Sequence, residues 1–92
     1  MDQYVQEIVN MLLTGQVDEA QKMRKSSEVM ANAHLIKART KHPEFGKDSF
    51  DEVLNEELEE MFEAIAKGDK IHAYEEAFDV IAVLLRFVEG DK

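Results

Sequence analysis

The residues that break helices are few in this chain and stand at wide intervals. Pro43 is the only proline. The four glycines stand between apolar segments, at Gly15, Gly46, Gly68 and Gly90. Proline and glycine mark turns, so the segments between them are the candidate secondary-structure elements. Because these segments carry apolar residues at the three- and four-residue spacing of amphipathic helices, the sequence predicts an all-α protein.

Four helices are predicted, and local signals mark several of their ends. They cover roughly residues 2–13, 17–40, 50–67 and 70–89. Ser49 and Glu52 match a capping box at the start of the third helix. Asp69 is placed to cap the fourth helix, which stops at Gly90. Because only Gly68 and Asp69 separate the third and fourth helices, the two should form a tight antiparallel hairpin in a four-helix bundle-like subunit.

The fourth predicted helix is apolar on nearly all of its faces between Val80 and Val88. A chain of this length buries only about 60–65% of its unfolded surface, so one small core cannot cover every face of such a helix. The central helix of a monomeric bundle would have the same pattern. We favour a homo-oligomer, either a homodimer or a homotetramer, that associates through helical faces.

Composition disfavours several classes of function. Because the chain has no cysteine, it cannot form disulfides, zinc–thiolate sites or a thiol nucleophile. Its formal net charge of −9 disfavours nucleic-acid grooves and anionic membrane surfaces, which require clustered lysine and arginine. The N-terminal residues do not resemble a secretory signal, and no segment reaches the ~20 apolar residues of a membrane span. We therefore expect a single cytoplasmic domain over residues 1–92.

Two pairs of acidic residues stand at matching distances from the predicted hairpin turn. Glu57 and Glu60 precede the turn, Glu76 and Asp79 follow it, and each pair shares a helix face because its members are three residues apart. At ~1.5 Å of rise per residue, the pairs should meet across the hairpin. Acidic pairs of this spacing are also common on solvated helix faces, so a plain surface patch is the alternative.

Convergence of four carboxylates would be costly without a counter-charge. Two like charges ~4 Å apart repel by roughly 4 kcal/mol at an effective dielectric near 20, whereas a small domain has only about 5–15 kcal/mol of stability. Protonation could relieve this repulsion, and so could a hard divalent cation. Because Mg²⁺ and Mn²⁺ both accept all-oxygen ligation, we expect Mg²⁺ as the cofactor, with Mn²⁺ able to replace it.

Residues 56–60 read Glu-Glu-Leu-Glu-Glu, and residues 76–79 read Glu-Ala-Phe-Asp before an apolar run. These stretches match an EExxE and ExxD signature, so the chain resembles the all-α NTP pyrophosphohydrolase superfamily, and its MazG-like branch in particular, over roughly residues 50–89. The resemblance implies helical dimers or tetramers that cleave (d)NTPs to monophosphate and pyrophosphate, with a house-cleaning role on dNTP pools. The implied Mg²⁺ ligands are Glu57, Glu60, Glu76 and Asp79. The same acids would be catalytic, and Glu56 would be a further ligand or a base.

Candidate substrate contacts lie outside the acidic motif. Arg86 stands two turns beyond Asp79 and could reach a phosphate, although an ion pair with a neighbouring acid would explain it equally well. Lys37 and His34 on the second predicted helix are further candidates, although a lysine on a helix is usually just solvated. His72 is close to the hairpin turn, so we interpret it as a helix-start residue instead of a ligand.

Two alternatives to the MazG-like interpretation stay open. The hairpin, including the turn at residues 67–70, also resembles phosphoribosyl-ATP pyrophosphohydrolase, but the Ser-Tyr-Thr stretch associated with that enzyme is absent upstream of Ser49. The other alternative is a non-catalytic helical interaction module whose acidic residues form a solvated or calcium-binding surface. Such a module would release no pyrophosphate, and Mg²⁺ would not change its thermal stability.

Overall fold

Helices make up most of the part of the chain that this computed structural model describes, residues 3–23, 26–43 and 50–90. They are α1 (Gln3–Leu13), α2 (Val17–Lys22), α3 (Ser27–Lys41), α4 (Phe50–Ala66) and α5 (Lys70–Glu89). Within these ranges there is no strand, which confirms the all-α prediction. Among the described helices, none has the length and apolar character needed to cross a membrane.

The prediction of one helix over residues 17–40 is wrong, because α2 and α3 share that stretch. Helix α2 ends at Lys22, and Ser26 has an extended backbone with φ −154° and ψ 160°. The Ser26 hydroxyl accepts a hydrogen bond from the amide of Val29 at 3.2 Å and so caps α3. Serine competes for backbone hydrogen bonds, and here that local preference prevails over a continuous helical pattern.

The hydrophobic core lies between α1, α3 and the first half of α5. Its buried members are Val5, Ile8, Val9, Leu12, Ala20, Met30, Ala33 and Phe78. Half of them come from α1, whose apolar stripe the sequence predicts from i, i+4 and i+7 spacing. Ile8 of α1 and Met30 of α3 have no exposed surface, so both helices contribute to the centre of this core.

Helix α4 lies outside this core. Within the described part of the chain it contacts α5 only, whereas α5 also packs against α2 and α3. Ala64 is the one residue of α4 that is buried. The position of α4 therefore depends on α5, and a cleft runs along α5 between α3 and α4.

The turn between α4 and α5 follows the local signals in the sequence. The amide of Gly68 donates to Ile65 and that of Asp69 donates to Ala64, a Schellman ending in which Gly68 has φ +73°. Asp69 then caps α5 by accepting from the amide of His72 at 3.2 Å. The predicted hairpin is thus confirmed, whereas the predicted Ser49 cap of α4 lies outside the described residues.

Candidate metal centre

The α4–α5 hairpin brings acidic side chains from both helices together. Glu57 on α4 and Glu76 and Asp79 on α5 each place one carboxylate oxygen within 4.8 Å of the other two. Glu60, one turn along α4 from Glu57, is near enough to raise the pKa of both Glu57 and Glu76. We call Glu57, Glu60, Glu76 and Asp79 the acid cluster.

Two members of the acid cluster retain their protons to unusually high pH. Burial raises the pKa of Glu57 from 4.5 to about 7, and the charges of Asp79 and Glu60 add to this effect. Burial likewise raises the pKa of Glu76 from 4.5 to about 8, with Asp79 and then Glu60 contributing. At neutral pH Glu76 is therefore mostly protonated and Glu57 is partly protonated, because burial and like charge both disfavour the ionised form.

The free oxygens of the acid cluster have the chemistry that a hard cation requires. Glu57 Oε2 and Glu76 Oε2 are buried and have no hydrogen-bond partner within the described residues. Buried oxygens without a partner carry a desolvation cost that a divalent ion would remove. Since the ligand set contains only carboxylate oxygen, these residues fit Mg²⁺ or Mn²⁺ and do not fit a thiophilic metal.

Asp79 differs from the two glutamates because α3 supplies it with partners. Lys37 Nζ donates to Asp79 Oδ1 at 2.6 Å, and His34 Nδ1 lies 2.7 Å from the same oxygen. Burial raises the pKa of Asp79, but the His34 hydrogen bond and the Lys37 charge outweigh it and hold this pKa below its usual value. Asp79 is therefore ionised and held in place before any ion arrives.

A cavity of about 360 Å³ opens next to the acid cluster, between α3, α4 and α5. Its charged lining comes from Lys37, Lys41, Glu56, Glu57, Glu60, Glu75, Asp79 and Arg86. A second cavity of about 350 Å³ lies near the turn between α4 and α5, and Glu60 lines both cavities. The first volume is within the ~300–1,000 Å³ of small-molecule pockets, and cationic side chains border its acidic wall.

The other predicted site residues occupy different depths around this cavity. Glu56 is exposed at its edge. Arg86 is only 2% exposed, and its Nη1 donates to the Ala38 carbonyl at 3.3 Å. His34 is fully buried and stacked on Phe78, with ring centroids 5.5 Å apart. It therefore contacts Asp79 from the protein interior and does not line the cavity. As predicted, His72 belongs to the helix start, since its Nδ1 lies 2.6 Å from Asp69 Oδ2.

The sequence-based reasoning missed the links from α3 to the acid cluster. It identified Lys37 and His34 as candidate substrate contacts, whereas both side chains hydrogen-bond to Asp79. It also missed Glu75, whose carboxylate lies 4.0 Å from Lys37 Nζ. One signal was available: Lys37 stands seven residues after Met30 and so falls on the buried stripe of α3, where a cation needs an acidic partner.

The site thus combines one ionised aspartate with partners, two glutamates with raised pKa values and oxygens without a hydrogen-bond partner, and a cavity with a mixed-charge wall. Such a set can exchange protons for a divalent cation and then face an anionic ligand.

Comparison of the chain with protein-family models, with curated proteins and with solved structures gave no match.

Proposed function

We propose that this chain is a Mg²⁺-dependent nucleoside triphosphate pyrophosphohydrolase that converts (d)NTPs to monophosphate and pyrophosphate. The observation that carries the proposal is the meeting of Glu57, Glu76 and Asp79 oxygens within 4.8 Å. Support also comes from the resemblance described above, because the three residues that meet, Glu57, Glu76 and Asp79, all belong to its EExxE and ExxD signature. A house-cleaning role on dNTP pools in the cytoplasm belongs to the same proposal.

In this proposal each acidic residue has a separate task. Glu57, Glu76 and Asp79 hold Mg²⁺ through their facing oxygens, with Glu60 beside them. When bound, Mg²⁺ neutralises charge on the pyrophosphate leaving group and lowers the pKa of the attacking water. Glu56 lines the cavity without belonging to the facing group, as Glu60 and Glu75 also do, and in this proposal Glu56 accepts the proton of the water because the resemblance implies a base there.

The cavity wall supplies the contacts for the substrate in this proposal. Arg86 and Lys41 line the cavity and place positive charge next to the acids, and this charge favours an anionic ligand even though the whole chain is acidic. Lys37 also lines the cavity, but its ammonium is bound to Asp79. Arg86 is buried against Ala38, so its guanidinium has a defined position from which to meet a phosphate. The His34 ring contacts Asp79 from the protein interior, and this contact keeps the Asp79 carboxylate oriented.

One observation favours a second candidate, a non-catalytic helical module. Lys37 and His34 already satisfy Asp79 Oδ1, and protons on Glu57 and Glu76 relieve repulsion without any metal. A cluster compensated in this way could serve only to hold α3 on the hairpin. The two candidates differ in what they predict for turnover and for cation binding.

A pyrophosphate-release assay with a panel of NTPs and dNTPs, with and without Mg²⁺, separates the candidates. We expect pyrophosphate release that depends on Mg²⁺. Loss of a residue that only orients a metal ligand lowers activity by roughly 10–100-fold, and we expect Glu57→Gln to lower the rate of release by more than that. Glu59→Gln is the matched control, because Glu59 is an exposed glutamate of the same helix outside the acid cluster. Full turnover in Glu57→Gln would refute the site, and no turnover with any nucleotide would favour the second candidate.

A further inference from the structure

Lys37 on α3 faces two carboxylates of α5. Its side chain is only 10% exposed, and its Nζ donates to Asp79 Oδ1 at 2.6 Å. Glu75 Oε1 lies 4.0 Å from the same nitrogen. Because Glu75 and Asp79 are four residues apart, they share one face of α5. The buried ammonium therefore has one bonded carboxylate and a second one just beyond hydrogen-bond distance.

The two carboxylates differ in what else they serve. Asp79 belongs to the group of facing oxygens with Glu57 and Glu76, whereas Glu75 lies outside that group. A divalent cation held by the facing oxygens would share Asp79 with the Lys37 ammonium, and two cations on one buried carboxylate repel each other. Lys37 avoids this repulsion if it binds Glu75 instead.

We propose that Lys37 is an exchangeable counter-ion of the acid cluster, and that its ammonium moves from Asp79 to Glu75 when a divalent cation binds. The proposal rests on the cation site of the proposed function, but not on the hydrolytic reaction. The movement is small, because a shift of about 1 Å brings Nζ within the ~3 Å of a hydrogen bond to Glu75 Oε1. Lysine suits it, since its charge stands at the end of a flexible four-carbon chain.

His34 keeps Asp79 in place in both positions of Lys37. Its Nδ1 lies 2.7 Å from Asp79 Oδ1, the same oxygen that Lys37 contacts. The ring is fully buried and stacked on Phe78, so it stays where it is when the ammonium leaves. The carboxylate thus keeps one interior partner and is already oriented for the cation.

The exchange also changes the charge of the cavity wall. Lys37 and Glu75 both line the cavity, together with Arg86. When Lys37 binds Glu75, it neutralises a carboxylate that would otherwise repel an anionic ligand, and its own positive charge stays on the wall. Cation binding would therefore prepare this wall for an anionic ligand.

A double-mutant cycle in Mn²⁺ affinity tests the exchange. Calorimetric titration of the full chain compares the wild type with Glu75→Gln, Lys37→Met and the combined variant. We expect the loss of affinity caused by Glu75→Gln to be about tenfold greater when Lys37 is present than in the Lys37→Met background, a coupling usual for residues in contact. Glu59→Gln is the matched control, because it removes the same charge at an exposed position of α4 and should leave the affinity unchanged.

The wild type tests the movement without any variant. Proton–proton Overhauser contacts, measured by NMR, report which carboxylate the Lys37 side chain approaches. Without a cation, the Hε protons of Lys37 should be nearest to the Hβ protons of Asp79. In saturating Mg²⁺ we expect stronger contacts with the Hγ protons of Glu75 and weaker contacts with Asp79. Lys22, an exposed lysine of α2, is the internal control, and its contacts should not change.

Each outcome decides the proposal. Equal losses from Glu75→Gln with and without Lys37, or Lys37 contacts that stay on Asp79 in saturating Mg²⁺, would overturn it. Mn²⁺ binding to Lys37→Met but not to the wild type would also overturn it, since Lys37 would then block the site permanently. If no folded variant binds either ion, the cation site and the exchange are both refuted. If the exchange occurs but no nucleotide yields pyrophosphate, only the proposed reaction is refuted.

Discussion

The two sides of the α4–α5 hairpin carry opposite chemistry. One side gathers the carboxylates of Glu57, Glu76 and Asp79, with Glu60 nearby, while the other exposes large apolar side chains such as Ile81 and Val88. Neither side resembles the core between α1 and α3, where Ile8 and Met30 are fully buried. The comparison indicates that α1 and α3 are occupied with burying the core, whereas the hairpin also presents two surfaces that suit something outside the chain.

A second contrast lies within the acid cluster. Asp79 has Lys37 and His34 as partners, whereas Glu57 and Glu76 keep orphaned oxygens and raised pKa values. Asp79 therefore has a structural role whether or not a cation binds. The two glutamates gain favourable contacts only from protons or a cation.

Among the single substitutions, the largest expected loss of stability comes from Asp79→Asn in metal-free buffer. This change leaves the buried Lys37 ammonium with only the more distant Glu75 carboxylate, 4.0 Å away, so we expect a loss of about 3 kcal/mol in the free energy of unfolding. Glu76→Gln removes a member of the repelling group and should leave stability unchanged or slightly higher. Urea unfolding of both variants measures the difference, and equal losses would contradict the contrast within the acid cluster.

Lys37→Met should change cation binding in the opposite direction from the acid variants. Removing the ammonium 2.6 Å from Asp79 makes the acid cluster more negative by one charge, so we expect Mn²⁺ to bind roughly tenfold more tightly. Lys37→Arg keeps the charge and should bind like the wild type. Calorimetric titration with Mn²⁺ measures both variants, and affinity that does not increase in Lys37→Met would show that Lys37 and a cation do not compete for Asp79.

The pH dependence of stability reports the protons on the acid cluster. The folded chain keeps protons on Glu57 and Glu76 up to about pH 7 and about pH 8, whereas the unfolded chain releases them near pH 4.5. Because the folded state binds more protons in this window, metal-free stability should fall as the pH rises from 4.5 to about 8. Thermal melts in chelator-treated buffer measure this slope.

A double variant, Glu57→Gln with Glu76→Gln, is the control for the pH experiment. It removes both groups, so its stability should vary less between pH 4.5 and about 8 than that of the wild type. Any pH dependence that persists in the double variant belongs to other groups. His72 is one of them, because its hydrogen bond with Asp69 raises its pKa. An unchanged slope in the double variant would mean that the two glutamates are ionised in the folded chain.

The smallest expected effect concerns the turn that joins the two helices. Asp69→Ala removes the cap of α5 and should cost about 1 kcal/mol of stability. Asp69→Asn keeps an oxygen for the His72 amide and should lose much less. Denaturant melts compare the two variants, and an equal loss in both would assign the effect to the Asp69–His72 side-chain pair.

The sequence was most informative where structure is local. Gly68 and Asp69 predicted the hairpin because a left-handed glycine and an aspartate cap act through bonds a few residues away. The spacing of Glu57, Glu76 and Asp79 then predicted their meeting, since a short turn fixes the register of an antiparallel pair. Glu60, predicted as a fourth ligand, lies beside this group and not within it. Among the local features of the described residues, the helix break at Ser26 was not predicted, because serine fits both a helix interior and a cap.

Tertiary placement could not be predicted in the same way. Whether Lys37 and His34 face the substrate or Asp79 depends on where α3 crosses α5, and no short connection fixes that crossing. The exposed side of α5 could not be predicted from the sequence for the same reason. Its apolar character is visible in the sequence, but which stripe stays uncovered follows from the position of α4.

The most direct test of the acid cluster is a thermal melt at neutral pH with and without Mg²⁺, repeated with Mn²⁺. A ligand that binds only the folded state at 100 times its dissociation constant adds about 2.7 kcal/mol, so the melting temperature should rise. The wild type and Glu59→Gln should show this rise, and Glu57→Gln should not. If neither ion shifts the wild type, or if Glu57→Gln shifts equally, the acid cluster is not a cation site.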